Sequence, residues 1–168
     1  MPVCVPARTC WYTGRMSCET GAPTNADPCR PDIPDLGQWL RKEGNYNTVY
    51  SGKWHIGRDV AKSFDLIYDK TIGKGDYIDG AVARACMGFL DNYTDDNPFF
   101  LNAGFLNPHD CCYTNGARGG QGKFGFAESI KDQLPPLPKN WTPPVVKGRF
   151  QSDWNETQWR FYVYSCNR

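Results

Sequence analysis

A largely apolar run from Phe99 to Leu106 constrains the fold more than any other feature of this sequence. It follows an Asn97-Pro98 break, which ends a helical period running from Asp76 to Tyr93. A short apolar run after a helix break predicts a strand, and its lack of polar alternation predicts burial on both faces. We therefore expect an α/β protein built around a mostly parallel sheet.

Other segments of the chain carry helix or strand signals of the same kind. A second strand is predicted from Asn47 to Ser51, ending at Gly52. Three further helices are predicted. The first covers residues 7–13 and ends at Gly14, and the second covers residues 34–44, with Leu36, Trp39 and Leu40 on one face. The third begins at residue 153. The Gly-, Pro- and Lys-rich stretch 116–149 is predicted to be an extended surface connection without a core element.

Four polar residues follow the two predicted strands. Lys53 and His55 come after the first strand, and His109 and Asp110 come after the second. Because the carboxyl ends of parallel strands share one edge of a sheet, we expect these groups on the same edge. Taken alone, each has a plainer interpretation, as a solvated residue at a strand end or a loop histidine packed under Pro108.

Composition excludes several classes of function. The chain of 168 residues fits one domain or part of a larger one. A formal net charge of +1, with no basic stripe, argues against a nucleic-acid interface. No apolar window is long enough to span a membrane, and Met1 to Thr9 have no signal-peptide pattern.

Eight cysteines leave two structural interpretations open. An even number is typical of a disulfide-linked secreted module, whereas a chain of this length also accommodates buried free thiols. No Cys-x-x-Cys pair indicates zinc, and Cys111-Cys112 are interpreted as structural. The acidic pair Asp95-Asp96 lies between a helix and Asn97-Pro98, so no metal role is assigned to it.

Three motifs together resemble those of the type I, formylglycine-dependent sulfatases of the alkaline-phosphatase-like superfamily. The first is Cys4-Val5-Pro6-Ala7-Arg8 followed by Thr13-Gly14-Arg15. The second is Gly52-Lys53-Trp54-His55, and the third is Phe99-Phe100-Leu101 leading into Asn107-Pro108-His109-Asp110. The resemblance covers nearly the whole chain, and both histidines of the sequence fall within these motifs.

The resemblance implies a catalytic mechanism. A formylglycine-generating enzyme would read Pro6 and Arg8 and oxidise Cys4 to formylglycine, whose hydrate attacks the sulfur of a sulfate ester. Arg8 would hold the hydrate, and Lys53 would bind the sulfate as a point charge. His55 would act as the base that releases sulfate, and His109 would contact sulfate and protonate the leaving oxygen.

The same resemblance implies a divalent cation, usually calcium, beside residue 4. Cys4, as formylglycine, would be one ligand. The other ligands of the family lie in segments that this sequence does not contain. We therefore expect residues 1–168 to be part of a catalytic domain, a partial alkaline-phosphatase-like sandwich truncated at both ends, without the first strand and the C-terminal part. On its own this part is expected to be inactive and poorly stable.

The expected substrate is a sulfate ester, with sulfated carbohydrate favoured over small aryl sulfates because the loop-rich stretches 14–34 and 111–150 indicate an elaborated pocket. A phosphonate or phosphate monoester hydrolase of the same superfamily is the enzymatic alternative, and a non-catalytic cysteine-rich secreted module is the other. Family habit implies a periplasmic or extracellular location.

Overall fold

A sheet of three parallel strands forms the centre of the first part of the chain. The computed structural model describes residues 3–69, 75–110, 124–142 and 154–166. The chain divides into two compact units, Met1–Phe105 and Leu106–Arg168. The strands of the first unit are β1 (Asn47–Gly52), β2 (Asp65–Asp69) and β3 (Phe99–Gly104), in the order β2-β1-β3. Both pairings of β1 are parallel, which confirms the predicted α/β class.

Four α-helices and a 3-10 turn are also formed by the part of the first unit that the structure describes. They are α1 (Cys4–Thr13), α2 (Ser17–Thr20), α3 (Leu36–Gly44), the 3-10 turn Val60–Lys62, and α4 (Gly75–Asn92). Helix α1 ends where predicted, since Gly14 takes the left-handed conformation with φ 66°. Helix α3 begins two residues later than predicted, because Asp35 caps it by accepting from the Gln38 backbone N–H at 3.1 Å.

An aromatic cluster forms the core beneath the end of β1. It consists of Tyr12, Cys29, Tyr50, Trp54, Ile56 and Phe64. The ring centroids of Tyr12 and Trp54 lie 4.9 Å apart and those of Tyr50 and Trp54 lie 5.2 Å apart, in tilted and edge-on geometries. This cluster joins α1 to β1 and so fixes the position of the helix that carries Cys4.

Helix α3 packs through a glycine, not through its predicted apolar face. A Cβ on Gly37 would lie 2.4 Å from the Ser63 carbonyl oxygen, so α3 approaches this segment closely. Leu36 is 38% and Trp39 is 54% exposed. The close approach at Gly37 turns the two large apolar side chains toward the surface.

The prediction that β3 is buried on both faces is wrong. Phe99 is 39% exposed, and Phe100 and Leu101 are half-buried. Within the described residues β3 pairs with β1 along one edge. Phe99 contacts Phe89 of α4, with ring centroids 5.3 Å apart, so α4 packs on one side of the strand.

The described residues of the second unit form two α-helices, a 3-10 turn and a core of their own. The elements are α5 (Phe124–Ser129), the 3-10 turn Lys131–Gln133, and α6 (Glu156–Cys166). Ala127, Leu134 and Phe161 are buried together. The prediction of a surface connection without a core element is therefore wrong for residues 124–134. Arg160 of α6 holds the start of the proline-rich segment by donating to the carbonyls of Leu134 and Pro135. Helix α6 itself begins three residues after the predicted start at residue 153.

Two smaller results concern membrane and disulfide expectations. Among the described residues no helix has the length and apolar character that crossing a bilayer requires. The described cysteines Cys4, Cys10, Cys18, Cys29 and Cys86 are free thiols. Cys111 and Cys112 lie outside the described residues.

Candidate active site

Helix α1 carries Cys4 in its first turn. Val3 precedes the helix in an extended conformation without a side-chain cap, and the backbone N–H of Val5 instead donates to Asn25 Oδ1 at 2.9 Å. Cys4 is half-buried, while Val5 and Pro6 are buried. The helix N-terminus provides backbone N–H dipoles that favour negative charge near residue 4.

Lys53 reaches this cysteine from the end of β1. Its Nζ donates to Cys4 Sγ at 3.6 Å, although 49 positions separate the two residues in sequence. Lys53 is 5% exposed, and its backbone N–H donates to the Gly104 carbonyl at 2.8 Å. A buried ammonium group therefore lies beside the thiol, held by the ends of two adjacent parallel strands.

Arg8 joins α1 to the same strand end. Its Nη1 donates to the Lys53 carbonyl at 2.7 Å, to Tyr50 Oη at 3.1 Å and to the Trp54 carbonyl at 3.5 Å. This nitrogen thus contacts the protein rather than Cys4. Arg8 also lines a cavity of about 360 Å³ together with Trp11, Asn102 and Phe105.

Two buried tyrosines complete the contact between α1 and β1, and sequence reasoning missed both. Tyr50 Oη donates to the Lys53 carbonyl at 2.5 Å, and Tyr12 Oη donates to Tyr50 Oη at 3.4 Å. Burial, reinforced by the neighbouring Tyr50, raises the pKa of Tyr12 far above its ordinary value. One signal was present in the sequence: Cys4, Arg8 and Tyr12 recur every four residues, which places them on one helical face.

The two histidines lie in different units. His55 is half-buried, with a left-handed backbone at φ 54°, two residues after Lys53 in the first unit. His109 belongs to the second unit, where its backbone N–H donates to the Leu106 carbonyl at 2.9 Å. Its Nδ1 lies 4.0 Å from Asp110 Oδ1, which is beyond hydrogen-bond distance. Of the predicted site residues, Lys53 thus contacts Cys4 through its side chain and Arg8 through its carbonyl.

The described residues do not supply a calcium site by themselves. Ca²⁺ takes six to eight oxygen ligands, mostly carboxylates and carbonyls. In the described ranges no group of three or more His, Cys, Asp or Glu side chains is arranged to hold a metal ion, and the charged neighbour of Cys4 is the Lys53 ammonium. Asp95 has a different function, since its carboxylate accepts from the Asn97 backbone and from Asn47 Nδ2, contacts that lower its pKa.

Comparison with known proteins identifies similar sequences among sulfatases. A Delta 4,5-hexuronate-2-O-sulfatase of Bacteroides thetaiotaomicron is 25% identical over an alignment that covers 96% of this chain and 38% of that protein. The N-sulphoglucosamine sulphohydrolase of Homo sapiens is 31% identical over 62% of this chain and 20% of that protein. An uncharacterized sulfatase of Escherichia coli is 38% identical over 33% of this chain and 11% of that protein. No protein-family profile matches the chain.

A solved structure shares the fold. The structure of BT4656 in complex with its substrate D-glucosamine-2-N,6-O-disulfate matches with a TM-score of 0.58 and 23% identity, over 82% of this chain and 30% of the other. The chain spans less than two fifths of the length of each of these relatives. Over that part, this chain is similar in sequence to sulfatases and has the α/β fold of the solved relative.

Proposed function

We propose that this chain carries the nucleophile segment of a sulfuric ester hydrolase that acts on sulfated carbohydrate, with Cys4 as the precursor of formylglycine. The names of the relatives support the reaction class, since they include a hexuronate-2-O-sulfatase and an N-sulphoglucosamine sulphohydrolase. The glucosamine disulfate bound by the structural relative supports a carbohydrate substrate.

A single observation carries the proposal, namely the 3.6 Å contact between Lys53 Nζ and Cys4 Sγ. The two residues belong to separate sequence motifs, and a purely structural lysine at a strand end would extend into solvent. Burying an ammonium group is costly unless an anionic or polar partner compensates it. A sulfate held at residue 4 would be such a partner.

The residues of the site would share the work of anion binding and proton transfer. Formylglycine supplies a hydrated aldehyde as nucleophile. Lys53 and the N-terminus of α1 would stabilise negative charge on the sulfate oxygens. His55 and His109 would take the proton-transfer roles that the resemblance implies, because imidazole titrates near neutral pH. Calcium, maturation by a formylglycine-generating enzyme, and export remain predictions.

Mass spectrometry of the maturation site tests the proposal. The chain is co-expressed with a formylglycine-generating enzyme, and the tryptic peptide 1–8, in which Cys4 is the sole cysteine, is analysed for conversion to the aldehyde. We expect conversion at Cys4 and none at Cys10, which lies on the next tryptic peptide and serves as internal control. Arg8→Lys retains the trypsin site and should reduce conversion. An unmodified Cys4, alongside a converted reference substrate, would contradict the proposal.

A protection assay tests the substrate class. Hydrazide labelling of the converted residue is followed with and without a sulfated glucosamine disaccharide. We expect the sulfated sugar to slow labelling, because its sulfate would occupy the space beside Lys53, and the unsulfated disaccharide to have no effect. Equal rates of hydrazide labelling in the presence of the sulfated and the unsulfated disaccharide would contradict recognition of sulfated carbohydrate. Protection by a phosphonate ester but not by the sulfated sugar would favour a phosphonate hydrolase.

A further inference from the structure

The buried hydroxyl of Tyr50 is the central atom of a hydrogen-bond network under the candidate active site. It accepts from Arg8 Nη1 at 3.1 Å and from Tyr12 Oη at 3.4 Å, and it donates to the Lys53 carbonyl at 2.5 Å. Tyr50 has no exposed surface. It therefore contacts neither solvent nor a bound molecule, and any effect on the site must pass through the residues that it touches.

Lys53 needs such a constraint because its side chain is long and flexible. A lysine side chain loses much rotamer freedom when its ammonium group is held in one place. Three contacts fix its main chain: the carbonyl accepts from Arg8 and Tyr50, and the N–H donates to Gly104 at 2.8 Å. With the main chain fixed and the residue 5% exposed, the ammonium group is directed to Cys4 Sγ.

Arg8 requires the same hydroxyl. Its Nη1 is shared among three oxygens, of which only Tyr50 Oη belongs to a side chain. The hydroxyl thus bridges the guanidinium of α1 and the carbonyl at the end of β1. Without it, Arg8 Nη1 would be held at the end of β1 by the carbonyls of Lys53 and Trp54 only.

We propose that Tyr50 is a positioning residue, which holds the Lys53 ammonium against residue 4 by clamping the Lys53 carbonyl and the Arg8 guanidinium with one hydroxyl. This inference rests on the proposed function, in which Lys53 and residue 4 act together on the sulfate. Misplacement of a charged group by about 1 Å is enough to weaken catalysis strongly.

Chemical cross-linking measures this placement in the unmodified chain without requiring activity. A reagent with an iodoacetyl group and an amine-reactive ester alkylates Cys4, and its short acetyl spacer then reaches only an amine in direct proximity. The ratio of the Lys53-bridged adduct to the singly attached Cys4 adduct, read by peptide mass spectrometry, reports the local concentration of the ammonium group at the thiol.

Tyr50→Phe is the test variant and Tyr12→Phe is its matched control. Both remove one buried hydroxyl from the same aromatic cluster, but the Tyr12 hydroxyl donates to Tyr50 Oη, whereas the Tyr50 hydroxyl donates to the Lys53 carbonyl itself. Tyr50→Phe should lower the ratio roughly three- to tenfold, the factor corresponding to the loss of its hydrogen bond to the Lys53 carbonyl. Tyr12→Phe should leave the ratio within about twofold of the original chain, since the Tyr12 hydroxyl reaches the Lys53 carbonyl only through Tyr50, over a 3.4 Å contact. An unchanged ratio in Tyr50→Phe, or an equal fall in both variants, overturns the proposal.

Site-specific replacement of Tyr50 by p-aminophenylalanine separates positioning from folding. This side chain retains the ring and an N–H donor aimed at the Lys53 carbonyl, so we expect it to restore the cross-link ratio. If Tyr50→Phe fails to fold, the p-aminophenylalanine variant tests the proposal instead. Loss of the bridged adduct in a folded chain with p-aminophenylalanine at position 50 overturns the proposal. Conversion of Cys4 to formylglycine is measured in a separate experiment. A failure of that conversion would contradict the proposed function without changing the cross-link ratio that tests Tyr50.

Discussion

Gly104 provides the strictest test of the geometry at the strand ends. It pairs with Gly52 at the end of β3, and its carbonyl accepts from the Lys53 N–H at 2.8 Å. A Cβ at this position would lie 2.6 Å from the Lys53 carbonyl oxygen and 2.6 Å from Tyr50 Oη. Both distances are far below van der Waals contact, one to backbone and one to a fully buried side chain, so Gly104→Ala must move the very atoms that position Lys53.

The size of the effect follows from two contributions. Inserting a methyl group into a packed site without space costs about 1–3 kcal/mol. Displacing Lys53 also weakens hydrogen bonds to Gly104 and Tyr50, which adds about 1 kcal/mol. We therefore expect Gly104→Ala to lower the free energy of unfolding by about 2–4 kcal/mol and to reduce the cross-link ratio between Lys53 and Cys4.

Urea unfolding followed by tryptophan fluorescence measures the loss of stability. Gly88→Ala is the matched control, because Gly88 is exposed on α4 and no atom lies within 4 Å of its added Cβ. In a helix this substitution should stabilise the chain by up to about 1 kcal/mol. A Gly104→Ala chain as stable as the original, with an unchanged cross-link ratio, would refute the described packing of Gly104 against Lys53 and Tyr50.

Substitutions at three further positions of the first unit are tested by urea unfolding, the last of them as a function of pH. Gly14→Ala should cost about 1 kcal/mol, because Gly14 caps α1 with φ 66°, and Gly14→Asn should cost less; equal losses would argue against the left-handed cap. Asp35→Ala should cost at least about 3 kcal/mol, because it leaves the buried Arg58 guanidinium, 3.6 Å away, without its carboxylate; Asp35→Asn, which keeps the cap, should cost less. Tyr12→Phe should flatten the fall in stability above about pH 10, measured by urea titration at successive pH values. Since burial raises the pKa of Tyr12, the folded chain keeps a proton that the unfolded chain loses, so stability falls by about 1.4 kcal/mol per pH unit there. An unchanged slope in Tyr12→Phe would contradict this assignment.

The sequence predicted those elements whose ends carry local signals. Gly14 ends α1, Asn97-Pro98 separates α4 from β3, and Gly52 ends β1, and in each case the structure agrees to within a few residues. Strand β2 was not predicted, because Asp-Leu-Ile-Tyr-Asp places aspartates at both ends of a short run, and aspartate is depleted in strands. Its pairing with β1 is a tertiary effect that no local pattern contains.

Burial was harder to predict than secondary structure. The apolar character of β3 suggested two covered faces, yet Phe99 is 39% exposed. Leu36 and Trp39 suggested the packing face of α3, whereas Gly37 makes the close approach. In both cases hydrophobicity identifies residues that can be buried, but the distance between the packed elements decides which residues are buried. A glycine permits a closer approach of two elements than a large side chain does.

Resemblance located the candidate site but did not separate chemistry from positioning. Arg8 was assigned to the formylglycine hydrate and Lys53 to the sulfate, yet Arg8 Nη1 donates to the Lys53 carbonyl at 2.7 Å. A substitution of Arg8 therefore removes a charge and disturbs the placement of Lys53 at once, and its effect on activity cannot be attributed to either cause. Tyr50 carries no charge, is fully buried and touches both partners, so Tyr50→Phe changes placement while leaving the charges of the site intact. Comparison of Tyr50→Phe with an uncharged substitution such as Arg8→Gln thus divides the contribution of Arg8 between its charge and its role in positioning.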